Sequence, residues 1–592
     1  MASSSCARSV LTKCGSSLRA RSSLLRHISS TSQLESQSQS SSKPTPVITT
    51  TTTALPLPKD TSQLQWGQPI PASHPHLFDN PNELTPGIPA WEYELRRVKL
   101  MHSIKEDRAV VILAGGRVKY MAKGIFYRFR QSSDFWYLTG FQEPDSALIL
   151  EKNSSQRGFK MTMFVRSRDR DDELWNGPRS GIDGAVQVFG ADEAYDISHF
   201  TSYTHSVLTS SPGSVYVDTP DSISPDRSTS SSSSSSNSSA PSWTKSLFSH
   251  LSTPSPPPET TLESLSHPST TLQFTPNSNS SNSTSTSGLS KILQILSNQT
   301  STPIHLLRTQ LDALRLLKSP SEISIMHSSA RISASAHALS MRYASLKNLH
   351  PTHHVDSEHS LVSQFEAHTS LSGSTRPAYV PVCAAGKNAL TLHYTSNDSV
   401  LKEGDLVLLD AGAEYRGYAS DLTRTFPVSG VYSTAQRELY ETVLEAQKEC
   451  LKVCSVRGVG SLNDLHRLSV EVLEKGLKRL GFDFGGFGGK RRLEDVVYPH
   501  FVGHPVGVDL HDTPSYTRSS RLQPNMVITI EPGVYVPPSS SYPKAYHNLG
   551  IRIEDEVLVR EDDNVILTVD APKEVVDVEA VASGLFDGVR RG

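Results

Sequence analysis

Apolar positions along the chain gather into two globular stretches, separated by segments that hold almost none. The first opens near Trp91 with a helical repeat running to Leu100, then passes through apolar runs at 109–114, 135–138 and 147–150 that read as strands. An α/β unit is expected there, reaching about Val207. Apolar spacing resumes in a short amphipathic piece, Leu289 to Leu296. At Ser319-Pro320-Ser321-Glu322 the chain then offers an N-cap serine, a proline at the first helical position and an acid at the third, ahead of Ile323, Met326 and Ala330. A long helix begins there and opens a second domain. Ser433 to Gln436 repeats the signal before Leu439, Val443, Leu444 and Leu451.

Composition explains the gaps. Hydrophobic residues make up 36% of the chain, and the shortfall sits in Ser/Thr/Pro tracts that cannot offset the entropy of ordering them. One tract, 35–65, reads as linker. Another, about 210–288, reads as an unstructured insertion, with 228–239 all serine except Thr229 and Asn237. The first 34 residues carry Arg8, Lys13, Arg19, Arg21 and Arg26, many serines and no acid, which is the composition of a mitochondrial transit peptide. The expected organisation is a transit peptide at 1–34, a linker at 35–65, an N-terminal domain at 66–318, a catalytic domain at 319–575 and a tail at 576–592.

Charge narrows the function classes. With 57 basic and 60 acidic residues the formal charge is −3, so nothing draws the whole chain to nucleic acid. No run of 18 apolar residues suggests a transmembrane span. Five cysteines (Cys6, Cys14, Cys383, Cys450, Cys454) are too few and irregular for a disulfide framework. Cys450 and Cys454, one helical turn apart with no nearby partner, read as core residues.

Candidate chemistry lies in the second half. The stretch from Asp405 to Phe426 reads as two strands joined around Tyr415 and Arg416. A two-residue turn there sets Asp410 opposite Asp421, where like charges need a neutralising partner such as a divalent metal. The alternative is that one aspartate is only a turn or edge residue. Further on, His500, His504 and His511 share a loop punctuated by Gly503, Pro505 and Gly507, although any one of them alone would more often be a structural residue than a ligand. A strand from Met526 ends at Glu531 before Pro532-Gly533, and the alternating run 550–559 places Arg552 and Glu554 on one face. Inward carboxylates beside apolar neighbours are costly unless paired or metal-bound. Four carboxylates and an imidazole suit a two-metal site; oxygen-rich ligation favours Mn²⁺, while Zn²⁺ and Co²⁺ accept the same donors. Two ions about 3.5–4 Å apart lower the pKa of a water and polarise a carbonyl, which is the chemistry of hydrolysis. A glycine-rich stretch ending Gly489-Lys490-Arg491 fails as a phosphate loop, with Phe484 in place of its first glycine and Arg491 in place of Ser or Thr.

At these residues the chain resembles the pita-bread dinuclear metallopeptidases, with the motifs around Asp410, Asp421, His504, Glu531 and Glu554 in order. Upstream, Arg128-Phe-Arg-Gln131-Ser-Ser-Asp134 through Asp145 and Glu173-Leu-Trp-Asn-Gly-Pro-Arg179 look like the N-terminal domain of the aminopeptidase P branch. The segments Gly67 to His76 and Thr85-Pro-Gly-Ile-Pro are similar to mitochondrial members of that branch. The likeness spans roughly 66–210 and 289–570, departing at the serine-rich insert, and Cys383-Ala-Ala-Gly386 carries an alanine where the branch has glycine.

The resemblance implies an α/β (α+β) chain: a creatinase/aminopeptidase P-like α/β domain followed by a pita-bread catalytic domain. It implies two divalent ions, most simply Mn²⁺, with Asp410 on one, His504 and Glu531 on the other, and Asp421 and Glu554 shared. Glu531 would carry the proton, His393, His500 and His511 would be catalytic and substrate-facing, and Tyr535 and Arg552 would join the substrate side. The expected activity is removal of a single N-terminal residue from imported mitochondrial proteins after presequence cleavage. That places the enzyme in the matrix or against the inner membrane, with polypeptide N-termini as partners and homo-oligomerisation left open. The alternatives are a general Xaa-Pro aminopeptidase and, from another class, a non-catalytic binding scaffold.

Overall fold

A computed structural model describes residues 66–210, 212–217, 302–346, 356–484 and 492–584. The transit-peptide and linker segments, most of the serine-rich insert, the piece at 289–296 and the glycine-rich stretch lie outside the described residues.

Strand alternation layers the N-terminal half. Six strands form one mixed sheet, in the order Ile304–Leu306, Ser214–Val217, Ala109–Ala114, Ala147–Lys152, Phe159–Val165 and Glu193–Asp196. Ala109–Ala114 runs parallel to Ser214–Val217 and antiparallel to Ala147–Lys152. Because successive side chains point to opposite faces, Val110, Ile112 and Ile149 pack with Phe200 and Leu208 of the helix Phe200–Thr209. Val111, Leu113, Leu148 and Leu150 pack on the other face with Leu100 and Met101 of the helix Ala90–Ser103. The run 135–138, expected as a strand, instead lies in the helix Ser133–Thr139. Short apolar runs do not distinguish a buried strand from a buried helix. Here Gly140, at φ +67°, supplies the left-handed C-terminal stop.

The second half is built from helices around small antiparallel sheets. The long helix Pro320–Leu346 starts where expected: the Glu322 N–H donates to Ser319 Oγ at 3.2 Å, and the Ser319 N–H donates to Glu322 Oε2 at 2.8 Å. The helix Thr434–Val453 is capped in the same reciprocal way by Ser433 and Gln436. Inside lie one three-stranded sheet of Val382–Ala385, Leu406–Asp410 and Thr423–Pro427, and another of Val527–Ile530, Asp555–Val559 and Asn564–Ile566. A ribbon pairs Gly533–Tyr535 with Gly550–Arg552. Cys450 and Cys454 sit in an apolar cluster, as expected, where burial pushes both thiols up to about 12. The ordered chain continues past the expected boundary at 575. The helix Val575–Ala582 packs against Pro320–Leu346 and buries Val578 and Val581, too much apolar surface for a solvated tail. Among the described residues no helix is long and apolar enough to cross a membrane.

The halves meet across a buried ionic cluster. Arg315 donates to Asp134 Oδ1 at 2.6 Å, to Asp509 Oδ2 at 2.6 Å and to Asp512. Lys318 Nζ adds a bond to Asp512 Oδ2 at 2.9 Å. The loop from His504 to Asp512 is thereby tied to the N-terminal domain.

Candidate active site

The strand pair that carries the two aspartates is not one continuous hairpin. Arg416 and Gly417 form its turn, both at positive φ (50° and 86°), so Tyr415 pairs with Tyr418 and Glu414 with Ala419. This turn sits one residue later than expected, and Asp410 consequently pairs with Thr423, not Asp421. The ladder also thins between the two aspartates, where 413–415 and 418–419 belong to a different sheet from 406–410 and 423–427, and the Ala411 N–H to Leu422 carbonyl (3.1 Å) and Ser420 N–H to Ala413 carbonyl (3.0 Å) bonds bridge the change. The carboxylates nevertheless converge. The Tyr379 hydroxyl lies 2.5 Å from Asp410 Oδ1 and 2.8 Å from Asp421 Oδ1.

The other expected residues arrive from the second set of strands. His504 Nδ1 bonds the Pro505 carbonyl at 3.0 Å, which puts its proton on Nδ1 and leaves Nε2 as a donor atom for a cation. That Nε2 lies 3.3 Å from Asp421 Oδ2 and 3.6 Å from Glu531 Oε1. Glu531 follows immediately on the strand Val527–Ile530, its N–H held by the Val502 carbonyl at 2.8 Å. Glu554 sits where the expected run 550–559 divides into the strands Gly550–Arg552 and Asp555–Val559, and Thr423 Oγ1 donates to its Oε2 at 2.6 Å. One donor atom each from Asp421, His504 and Glu554 fall within 4.8 Å of one another.

Arg552 organises the remaining wall. Its guanidinium pairs with Asp410, donates from Nε to Thr423 Oγ1 at 3.2 Å and bonds the Tyr535 hydroxyl at 2.6 Å. It thus holds Asp410 directly and reaches Glu554 only through Thr423. Tyr535 continues to His500 Nε2 at 3.0 Å, while His500 Nδ1 bonds the Phe501 carbonyl at 2.9 Å. Burial and the Arg552 charge push the His500 imidazole down to about 3, so it is neutral, with its proton on Nδ1 and Nε2 accepting from Tyr535. The His511 ring meets that of His504 edge to face, with centroids 4.4 Å apart. Partial burial and the His504 charge bring His511 down to about 4. His393 is exposed on a loop, near enough for its charge to bear on both His500 and His511.

Electrostatics mark this as a site short of positive charge. Burial and the three neighbouring carboxylates hold Glu554 well above the usual carboxylate range. Burial lifts Glu531 to about 7, despite His504 and Arg552. Asp410 is raised by burial against the pull of Arg552, whereas at Asp421 burial is overcome by the His504 hydrogen bond and charge together with the Tyr379 hydroxyl and His511, which hold it low. His504 in turn rises to about 9, because Asp421 and Glu531 overcome its burial. Protons are thus drawn to groups that a cation would otherwise neutralise. The donor set, one imidazole nitrogen among carboxylate oxygens, fits a divalent metal. Tyr379 and Thr423 were not anticipated from the sequence: a lone Tyr or Thr in a strand-rich stretch has no distinguishing spacing.

Comparison with known proteins agrees with this architecture. Residues 324–561 match the metallopeptidase family M24, and residues 93–216 match the aminopeptidase P N-terminal domain. The chain is 35% identical over 536 residues to Xaa-Pro aminopeptidase 3 of Rattus norvegicus, covering 89% of this chain and 92% of that protein. It is 34% identical over 521 residues to intermediate cleaving peptidase 55 of Saccharomyces cerevisiae, covering 88% and 89%. A crystal structure of the yeast protein superposes with a TM-score of 0.66 at 31% identity, over 85% of this chain and all of that one. Aminopeptidase P of E. coli superposes at 0.66 and 28% identity, over 84% and 99%. Enzymes of family M24 work with divalent metal ions. The chain belongs to that family, in its aminopeptidase P branch, and is a metal-dependent aminopeptidase that removes N-terminal residues.

Proposed function

We propose that Asp410, Asp421, His504, Glu531 and Glu554 hold two divalent cations, with Mn²⁺ favoured by the oxygen-rich set. We propose further that the chain removes one residue from the N-termini of mitochondrial proteins whose presequences have been cut. The observation that carries the metal assignment is the charge imbalance: four carboxylates, buried at Asp421 and Glu554 and partly buried at Asp410 and Glu531, converge with a single guanidinium among them. The basic, acid-free leader at 1–34, and relatives named as intermediate cleaving peptidases, support the substrate class and a matrix location, free or against the inner membrane.

Bound cations supply Lewis acidity and lower the pKa of a water. The protein's own groups supply the rest. Glu531, whose carboxylate lies at the cluster 3.6 Å from His504 Nε2, is suited to accept a proton from the attacking water and return it to the leaving nitrogen. His393 and His511, on loops beside the cluster, are placed to hydrogen-bond a substrate carbonyl. Arg552 fixes Asp410, and with Tyr535 it holds the neutral His500 ring at the wall.

The test is to strip the full chain of metal, restore Mn²⁺ and offer two peptides: one beginning Xaa-Pro, the other beginning with a bulky apolar residue before a non-proline. Release of a single residue only with metal, and only with Glu531 intact, supports the site. Preference for the non-proline peptide supports presequence trimming. Preference for Xaa-Pro supports general Xaa-Pro cleavage, the reading that the rat relative's name favours. Absence of release from both peptides would move the weight to a binding scaffold.

A further inference from the structure

On the long helix Pro320–Leu346, Ser329, Ser333 and His337 recur every fourth residue and are fully buried, beside the apolar Ala330, Ala334 and Ala338. That spacing puts them in one row on one face. The row lies against the thinned stretch between Asp410 and Asp421. Ser329 Oγ donates to the Ala413 carbonyl at 2.9 Å. The Ala413 N–H donates to Ser333 Oγ at 3.0 Å, and Ser333 Oγ lies 2.6 Å from Ser420 Oγ. His337 Nε2 bonds the Ala411 carbonyl at 2.9 Å. The row therefore touches the residue after Asp410 and the residue before Asp421. The strands approach so closely there that a Cβ on Gly412 would lie 1.8 Å from the Ser420 carbonyl oxygen.

His337 shows that the seam is more than packing. The Ala411 carbonyl can only accept, so Nε2 carries the proton; the buried ring is neutral, and its Nδ1 finds no partner among the described residues. An apolar ring would meet Phe365 edge to face equally well without a stranded nitrogen. The donor at Nε2 is the feature that an apolar ring would lack.

We infer that Ser329, Ser333 and His337 form a positioning seam, which adds to the two backbone bonds left between the strands there, from the Ala411 N–H to the Leu422 carbonyl and from the Ser420 N–H to the Ala413 carbonyl, and sets the spacing of Asp410 and Asp421. The inference rests on the proposal that these two aspartates hold metal. Its test is calorimetric titration of metal-stripped full-length protein with Mn²⁺, alongside electron paramagnetic resonance of the loaded pair and melting of the metal-free form. His337→Phe should weaken Mn²⁺ binding by about tenfold or more and alter the coupling signal of the pair, as loss of outer contacts to metal ligands does elsewhere. His337→Gln, which retains an N–H donor, should recover part of the affinity. A purely structural role would lower the melting temperature while leaving Mn²⁺ affinity and spectrum unchanged, and that result overturns the seam. Should His337→Phe not fold, Ser333→Ala decides: weaker binding supports the seam, unchanged binding overturns it. A wild-type chain that binds no Mn²⁺ would remove the metal assignment itself, and the seam with it.

Discussion

Two acidic clusters lie within the described structure, and they are neutralised in opposite ways. At the domain junction, Asp134, Asp509 and Asp512 surround Arg315 and Lys318, so the chain supplies its own cations with direct hydrogen bonds. In the active site, Asp410, Asp421, Glu531 and Glu554 share Arg552 and an imidazole. The first arrangement is complete once the chain folds. The second leaves carboxyls with strongly raised proton affinity, the mark of a site built for an external charge. Burial alone therefore does not distinguish a structural acidic cluster from a functional one; the supply of internal cations does.

The largest expected effect comes from removing the external charge. Chelation should abolish aminopeptidase activity, and Glu531→Gln should lower kcat by about 10²- to 10⁴-fold through loss of the proton carrier. Both should leave the junction and the circular dichroism of the fold intact. If the chelated protein unfolds instead, the active-site cluster is structural as well, and the contrast fails. Next in size is Arg315→Met, which strands Asp134 and leaves Asp512 to Lys318 alone. Denaturant unfolding should show a loss of about 3–5 kcal/mol, as for other broken buried pairs. The Mn²⁺ stoichiometry of whatever remains folded should not change.

How much of this contrast the sequence discloses depends on the range of the contacts. The five acidic and histidine positions were legible because each sits at a strand end or in a loop with its own local pattern. Both capped helices were legible for the same reason. The hairpin register was misread by one residue, since Tyr415-Arg416 and Arg416-Gly417 are both plausible turns until the φ values at Arg416 and Gly417 decide between them. The junction was invisible: Arg315 meets Asp134 across 181 residues and Asp512 across 197, and no local spacing encodes such pairs. Tyr379, 31 residues before Asp410, was missed on the same grounds.

Dependence on pH offers a gentler way to sharpen the comparison. In metal-free protein Glu531 rises from 4.5 to about 7, and His504 from 6.5 to about 9. A group with raised folded pKa binds its proton more tightly in the native state, so its stabilising contribution is complete below the unfolded pKa and lost as pH climbs through the folded one. The contribution of these two groups to metal-free stability should therefore decline from about pH 4.5 to 9. Mn²⁺ should offset that decline, so the gap in melting temperature between loaded and stripped protein should widen from pH 5 to pH 8. A gap that narrows with pH would contradict the assignment of those two groups to the metal.

The smallest effect expected is that of Tyr379→Phe. One phenol proton is shared between both aspartates, so its loss removes a hydrogen bond to a charged acceptor, worth about 1.5–3 kcal/mol in other proteins. Most of that should be hidden in the loaded enzyme, because cations neutralise the same oxygens. The variant should accordingly lose more stability when stripped than when loaded, with kcat/KM falling by no more than about tenfold. Equal losses in both forms would mean that the phenol and the cations act on different carboxylate oxygens, and that the active-site cluster is partly neutralised from within, as the junction is.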